Sequence, residues 1–377
     1  MTSPSIQPVL TRVVAPEGPS REDLIFLLNL KDPCRIQELF DRADQVRRQY
    51  VGDEILLRGI VEFSNHCRND CAYCGISRSN RSLARYRMTQ DQVLASVQEI
   101  ALAGIKTVVL QSGEDPGLDP HWLAHVIQAI KSDFDMAVTL SVGERPEADY
   151  RLWRQAGADR YLLKIETTNP RLYDRLHPGM SLDRRTRCSQ ILRELGYQNG
   201  SGSLVGLEGQ SLEDLADDLL FFRQFDFDMV GIGVFIPHDR TPLAGRPVGD
   251  LGLALRMVAL TRILLRDSHI PATTAIGTVG DGLGQEQALK AGANVVMPNF
   301  TPSEYRLLYD IYPGRRGVDQ SPGETVDRLR ALAESMGRTI GLSKGDSLKG
   351  NRPGRAHESA VYGRGARGKK QQARAML

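Results

Sequence analysis

The chain has 377 residues, a 41% apolar fraction and nearly balanced charge, with 48 Lys and Arg against 46 Asp and Glu. That excludes a wholly disordered chain and a uniformly basic nucleic-acid binder, and leaves room for one large domain or two small ones. No basic start followed by an apolar run opens the sequence, and no uninterrupted apolar stretch of about 18 residues occurs, so neither an export signal nor a membrane span is expected.

In chain order, residues 1–19 read as a flexible N-terminus and 20–50 as helices ahead of the strands, within a single main domain that spans 20–348. Eight β-rich runs follow, at 58–64, 106–111, 136–141, 160–166, 200–205, 228–235, 271–276 and 294–298, with helices between them. One unit recurs: an amphipathic helix, a Gly near its end, then a short β-branched run. It is spelled "VQEIALAGIKTVVLQSG", "YRLWRQAGADRYLLKIET", "SQILRELGYQNGSGSLVG" and "QALKAGANVVMPNF". Gly takes the left-handed turn that ends a helix, and the runs after it suit a parallel sheet covered on both faces. Thr89 with Gln92, and Ser211 with Asp214, form capping-box patterns. "LALRMVALTRILL", with Arg256 and Arg262, reads as an amphipathic helix, and a further helix is expected near 323–336. Eight such units across about 240 residues predict an α/β protein with a (β/α)8, TIM-type barrel. A doubly wound open sheet is the rival, but it does not need eight units.

Residues 349–377 hold eight Lys and Arg against one Glu, which leaves the rest of the chain net negative. This Gly-rich basic tail reads as disordered and solvated rather than as a nucleic-acid arm. Five cysteines in a chain without an export signal point to a reducing, cytoplasmic setting and thiolate chemistry. Cys34 and Cys188 stand alone and read as small buried hydrophobes. Cys67, Cys71 and Cys74 do not: "NHCRNDCAYCGIS" spaces them C-x3-C-x2-C directly after the first strand.

The strand faces make the barrel lumen polar. In "RYLLKIE", Leu162, Lys164 and Glu166 share one face, and Tyr161, Leu163 and Ile165 the other. In "MAVTLS", Thr139 and Ser141 oppose Met136, Val138 and Leu140. Buried charges need partners, so the lumen is expected to hold a charged ligand, the alternative being an internal Lys164–Glu166 ion pair. Active sites of such barrels sit at the C-terminal strand ends. The cysteine loop, Ser112-Gly113-Glu114, Glu166, Gly231, Gly233, Thr273 and Thr274 all fall there. Thiolates of this kind hold Fe–S clusters, and a [4Fe–4S] cube with three protein ligands keeps one iron open. Zinc would need a second ligand pair that the sequence lacks.

A C-x3-C-x2-C loop with an aromatic, Tyr73, before its last cysteine, on the first strand of such a barrel, resembles the radical S-adenosylmethionine (SAM) superfamily. "YRMT", "VLQSGED", "TLSVGE", "AGADRYLLKIETTNP", "DMVGIGVFIPH", "TRILL", "IPATTAIGT" and "GANVVMPNFTPSEYRLLY" together are similar to the HydE family of [FeFe]-hydrogenase maturases, from about residue 20 to 314. Biotin synthase and methylornithine synthase are its nearest relatives.

The resemblance implies that Cys67, Cys71 and Cys74 bind a [4Fe–4S] cluster whose fourth iron chelates SAM. One electron then cleaves SAM to methionine and a 5′-deoxyadenosyl radical, which makes the protein oxygen-sensitive. It implies that Ser112, Gly113 and Glu114 meet the methionine amino group, Glu166 the ribose, Arg185 the carboxylate, and that adenine rests near Tyr73, Gly231 and Gly233, with Ser141 also on the SAM side. Thr139, Arg160, Lys164, Thr273, Thr274 and Tyr305 would face the substrate, an organometallic, cysteine-bound iron carbonyl cyanide complex from a partner maturase. A one-electron reductant such as ferredoxin or flavodoxin is implied, with no membrane or nucleic-acid partner.

The sequence also departs from the family. After Tyr312-Pro313-Gly314 it continues "RRGVDQSPGE" without a cysteine, so no second cluster is expected there. Lys164 stands where Arg is common, Glu208 where Pro is usual, and "PHDRTPL" is spelled differently. Two other readings stay open at this point: a biotin synthase- or methylornithine synthase-like enzyme on an organic substrate, and a non-enzymatic Fe–S sensor or scaffold.

Overall fold

Three helices precede the first strand. In the computed structural model, which describes residues 5–315, 317 and 320–349, they are α1 (Gln7–Val14), α2 (Arg21–Leu28) and α3 (Pro33–Val51). Ser20 and Asp23 close a capping box on α2, and Asp32 caps α3 ahead of Pro33. The segment expected to be flexible therefore contains a helix, held because Leu10 and Val13 bury themselves in the core. Cys34 is exposed in the first turn of α3, contrary to its reading as a buried residue, while Cys188 is buried.

The strands are β1 (Glu54–Leu57), β2 (Gly59–Ser64), β3 (Thr107–Ser112), β4 (Ala137–Ser141), β5 (Arg160–Leu162), β6 (Gln198–Ser201), β7 (Leu204–Val205), β8 (Met229–Val230), β9 (Gly233–Val234), β10 (Val295–Val296) and β11 (Thr339–Gly341). A parallel ladder runs β2-β3-β4-β5-β6-β8, and β7 and β9 prolong β6 and β8. Bridges Met229–His269 and Pro271–Val295 carry the sheet on to β10, which pairs with β1. Because β1 runs into β2 across Arg58, the ring closes as an eight-membered parallel barrel. β11 pairs with the other edge of β1.

Around the ring lie α4 (Gln90–Leu102), α5 (Pro120–Asp133), α6 (Glu147–Gln155), α7 (Pro170–Leu176), α8 (Leu182–Glu194), α9 (Leu212–Phe225), α10 (Leu251–Leu264), α11 (Thr274–Val279), α12 (Gly284–Lys290), α13 (Ser303–Arg306) and α14 (Pro322–Ser335). The Thr89 and Ser211 capping boxes form as their sequences predict. The glycines of the repeating unit adopt positive φ where it requires them, 79° at Gly104 and 110° at Gly157.

Two element readings change. Strand seven is only the bridged run 269–271, because Thr273 is the N-cap of α11 and Thr274 already lies in that helix. Pro271 has no N–H to give a ladder, so β-branched composition alone does not make a strand here. Helix α10 is buried on nearly every face, arginines included. Arg262 donates to the carbonyls of Gly292, Arg266 and Ser268, and Arg256 to that of Leu28. These charges tie helix ends together instead of facing water.

The C-terminal segment 342–349 closes the barrel floor. Arg160 Nη2 pairs with Asp346 Oδ1 at 2.7 Å and donates to Lys344 O at 2.8 Å. Arg58 Nη2 donates to Gly345 O at 3.3 Å. Asn294 Oδ1 accepts from Arg262 and Ile270 N, so its Nδ2 donates to His269 Nδ1 at 3.0 Å. His269 Nε2 therefore carries the proton and donates to Asp346 O at 2.9 Å. Burial, with Arg58 nearby, holds His269 at about 3 against an ordinary 6.5. The unfolded chain then takes up this proton first. Stability should fall as pH drops from 6.5 towards 3, by up to about 1.4 kcal/mol per pH unit for this residue. Denaturation midpoints measured across that range should have a shallower slope in His269→Gln than in the parent. The expected disordered tail falls, apart from Lys349, outside the described residues.

Candidate active site

The C-terminal ends of the strands open into a cavity of about 400 Å³. The cysteine loop enters it from β2, and its backbone is fixed by neighbours. Arg85 donates to the carbonyls of Asn65, Ile76, Ser77 and Asn80. Ala72 N bonds Leu176 O at 2.8 Å and Gly75 N bonds Ile311 O at 3.0 Å. Gly75 has no alternative, since a Cβ there would lie 2.1 Å from Asp310 O.

Cys67, Cys71 and Cys74 all line the cavity as free thiols. Burial pushes Cys74 up to about 12, with the neighbouring Cys67 adding to it, and also raises Cys67 and Cys71. Three thiolates there need a cationic centre to exist. Among the described residues, no three His, Cys, Asp or Glu side chains close on one point as a single ion requires. Three thiols on the wall of one cavity are donors of the kind an Fe–S cluster takes.

Tyr73 is anchored by a residue the sequence reading missed. His177 Nδ1 donates to Tyr173 O at 3.1 Å, so its Nε2 accepts from Tyr73 Oη at 2.9 Å. Burial, then the nearby Arg185, hold His177 at about 3, which keeps the acceptor neutral.

Opposite the loop, Gly113 abuts the cysteine segment; a Cβ there would lie 2.3 Å from His66 O. Glu114 Oε1 accepts from Arg68 Nε at 2.6 Å and Oε2 from Glu144 N at 2.8 Å. Arg185, on α8, donates from Nε to Glu144 Oε1 at 2.7 Å and from Nη1 to Lys164 O at 2.9 Å. Glu166 sits in the left-handed region at φ 63°, a conformation that costs a non-glycine residue energy and concentrates at functional sites. Its N–H bonds Gly202 O at 3.0 Å. Gly202 in turn touches strand six so closely that a Cβ would lie 1.9 Å from Gly231 O. Gly202→Ala should therefore push these strands apart and cost about 1–3 kcal/mol, read as a lower denaturant midpoint.

Lys164 Nζ and Glu166 Oε2 are 2.8 Å apart, so the internal ion pair raised as an alternative is present, and both residues still line the cavity. Ser112, Ser141, Gly231, Gly233, Thr273 and Thr274 line it as well. Three other expected residues lie elsewhere. Arg160 is on the barrel floor with Asp346. Thr139 is buried between strands, its Oγ1 without a partner among the described residues. Tyr305 stacks on Tyr86 at 4.6 Å between centroids and accepts from Gln92 Nε2. One helical turn further on, Tyr309 lines the cavity in its stead.

Glu62 and Arg315 were also missed. Their side chains are 3% and 7% exposed, lie 2.7 Å apart and form part of the cavity wall, with Asn299 Nδ2 donating to Glu62 at 2.9 Å. A lone carboxylate in an apolar strand was the available signal for Glu62. Arg315 directly follows Tyr312-Pro313-Gly314.

The radical SAM superfamily profile matches residues 61–222. The chain is 29% identical to the 3-methylornithine synthase of Methanosarcina acetivorans, over 86% of this chain and 89% of that one. A solved structure of methylornithine synthase (PylB) superposes with a TM-score of 0.77 at 26% identity, over 88% of this chain and 97% of that one. HydG from Carboxydothermus hydrogenoformans shares the fold, with a TM-score of 0.73 at 20% identity over 89% and 79%. The [FeFe] hydrogenase maturase subunit HydE of Thermotoga maritima is 50% identical over 326 residues, covering 86% of this chain and 93% of that one. With half the residues shared across nearly both full lengths, the chain belongs to the HydE family of [FeFe]-hydrogenase maturases, within the radical SAM superfamily.

Proposed function

We propose that this enzyme binds its cluster through Cys67, Cys71 and Cys74 alone and acts on a cysteine-bound iron carbonyl cyanide complex during assembly of the hydrogenase diiron site. When bound, the cluster supplies one electron to SAM, which splits into methionine and a 5′-deoxyadenosyl radical. The observation that carries this reading is that the three cysteines, Gly113, Glu114, Glu166 and Arg185 line one cavity.

The chain's own groups divide the work. Arg185 offers a guanidinium to the methionine carboxylate, with Glu144 holding it in place. Glu114 offers a carboxylate to the amino group, and Glu166 accepts the ribose hydroxyls. Tyr73, fixed by His177, and the bare backbone of Gly231 and Gly233 leave a flat slot for adenine. Lys164, Thr273, Thr274 and Tyr309 are left for the substrate. Lys164 there is a point charge, so it engages a carboxylate through one contact where a guanidinium would make two. No second cluster is expected at 312–322, and a partner maturase, a soluble one-electron reductant and a cytoplasmic setting complete the proposal. No helix among the described residues is long and apolar enough to cross a membrane.

The test is anaerobic. Reconstituted protein with SAM and dithionite should yield 5′-deoxyadenosine, and adding the iron complex should consume that complex. Glu166→Ala should lose SAM binding by equilibrium dialysis; retained binding and retained cleavage would sink the site reading. The likeness to methylornithine synthase favours a second reading, an amino-acid substrate. Turnover of an amino acid without any iron complex would establish it.

A further inference from the structure

Asp218 is fully buried on α9 and is not among the residues that line the cavity. It makes no ion pair among the described residues, and the charge it feels is that of Asp214, which has the same sign. A carboxylate buried without a cation is costly unless donors surround it. Asp218 has three of them: Thr168 N and Thr168 Oγ1 donate to its Oδ1, each at 2.7 Å, and Ser203 Oγ donates to its Oδ2 at 2.7 Å. An ionised carboxylate accepts and does not donate, so three converging donors suit it better than they suit an amide.

The two residues it ties lie on either side of Glu166. Thr168 follows Glu166 by two positions in the chain, and Ser203 is its bridge partner on the neighbouring strand. Glu166 N donates to Gly202 O at 3.0 Å and Leu204 N donates to Glu166 O at 3.1 Å, so its backbone is bonded to both residues that flank Ser203. A ring thus closes around Glu166: out along the chain to Thr168, across the Asp218 carboxylate, and back through Ser203. Helix α9 grips the same turn a second time, where Asp214 Oδ1 accepts from Asn169 Nδ2 at 2.7 Å. This is the turn that keeps Glu166 at φ 63°. A non-glycine residue stays in that region only where its surroundings over-determine it.

We infer that Asp218 is a positioning residue for SAM: from outside the cavity, its carboxylate fixes the backbone of Glu166 and so aims that side chain at the ribose. The inference rests on the reading above of Glu166 as the ribose acceptor. Asp218 does not itself reach the cavity. It acts through Thr168 and Ser203, and support of this kind sets how closely a binding group is held to its productive geometry. The competing role is that of a strut. Helix α9 also packs on α2 and α10, and a carboxylate that only fastened it to the barrel would leave SAM affinity unchanged.

The test is a double-mutant cycle on the anaerobic, cluster-loaded protein, with SAM binding read by equilibrium dialysis. It is run at about pH 8, above the value of about 7 to which burial raises Asp218, so that the parent carries the charge. Asp218→Asn keeps the shape of the side chain but turns an N–H towards one of its donors, and should weaken SAM binding roughly tenfold. Glu166→Gln should weaken it by at least as much. In Asp218→Asn/Glu166→Gln the affinity should stay within about twofold of Glu166→Gln alone, because the support then has nothing left to aim. Parent affinity in Asp218→Asn, or losses that multiply in the double variant, would overturn the positioning role. Parent affinity in Glu166→Gln would instead overturn the ribose reading, and the inference with it. If Asp218→Asn does not fold, Ser203→Ala, which removes one donor and buries no new polar group, goes through the same cycle and is judged by the same outcomes.

Discussion

Cys71→Ala is expected to bring 5′-deoxyadenosine formation down to the no-enzyme blank, while far-ultraviolet circular dichroism stays that of the parent. The loop around Cys71 is fixed by Arg85 across four carbonyls and by backbone bonds to Leu176 and Ile311, none of which uses the thiol. Losing one sulfur should therefore leave the fold and remove the metal. Iron and sulfide analysis after anaerobic reconstitution should show the parent's cluster and little in the variant. A variant that holds a full cluster and still cleaves SAM would mean the ligand set is drawn wrongly. Cys188→Ala is the matched control: that thiol is buried at α8, outside the cavity, and should change neither readout.

Arg315→Ala is expected to cost about 3–5 kcal/mol, because it strands the buried carboxylate of Glu62 with Asn299 as its one remaining side-chain donor among the described residues. The double variant Glu62→Gln/Arg315→Met should regain most of that loss, since it removes both charges together. Denaturant midpoints of the two proteins decide it. If Arg315→Ala unfolds at the parent midpoint, the pair is not a structural strut of the cavity wall.

Much of this was readable beforehand, for physical reasons that also explain the errors. A glycine ending each helix and a polar residue opening the next are local devices, so the repeating unit and the barrel could be read directly. Side-chain alternation assigned Lys164 and Glu166 to the lumen correctly. Arg160, which the family resemblance placed with the substrate, is on the same face of that strand, but a shared face says nothing of depth. Four residues of strand span about 13 Å, enough to separate the cavity from the floor. Tyr305 and Tyr309 differ by one helical turn, a spacing that points both in much the same direction and leaves the choice to packing. Thr273 and Thr274 favour strands by composition, yet Thr273 ends as a helix cap. His177 was invisible because its partner Tyr73 lies on another element, far away in sequence.

The order in which the barrel closes has a consequence for biosynthesis. β1 is held between β10 and β11, and the floor is sealed by residues 344–349. The first strand therefore waits on the ribosome for nearly the whole of elongation before its neighbours exist, and contacts of such separation form late. Throughout that interval Cys67, Cys71 and Cys74 have already been made but have no enclosed chamber around them. A chain released at residue 338, without β11 and the floor, should expose these thiols to alkylation far faster than the full-length apoprotein does. Iron would then load only after residues 339–349 have joined the fold.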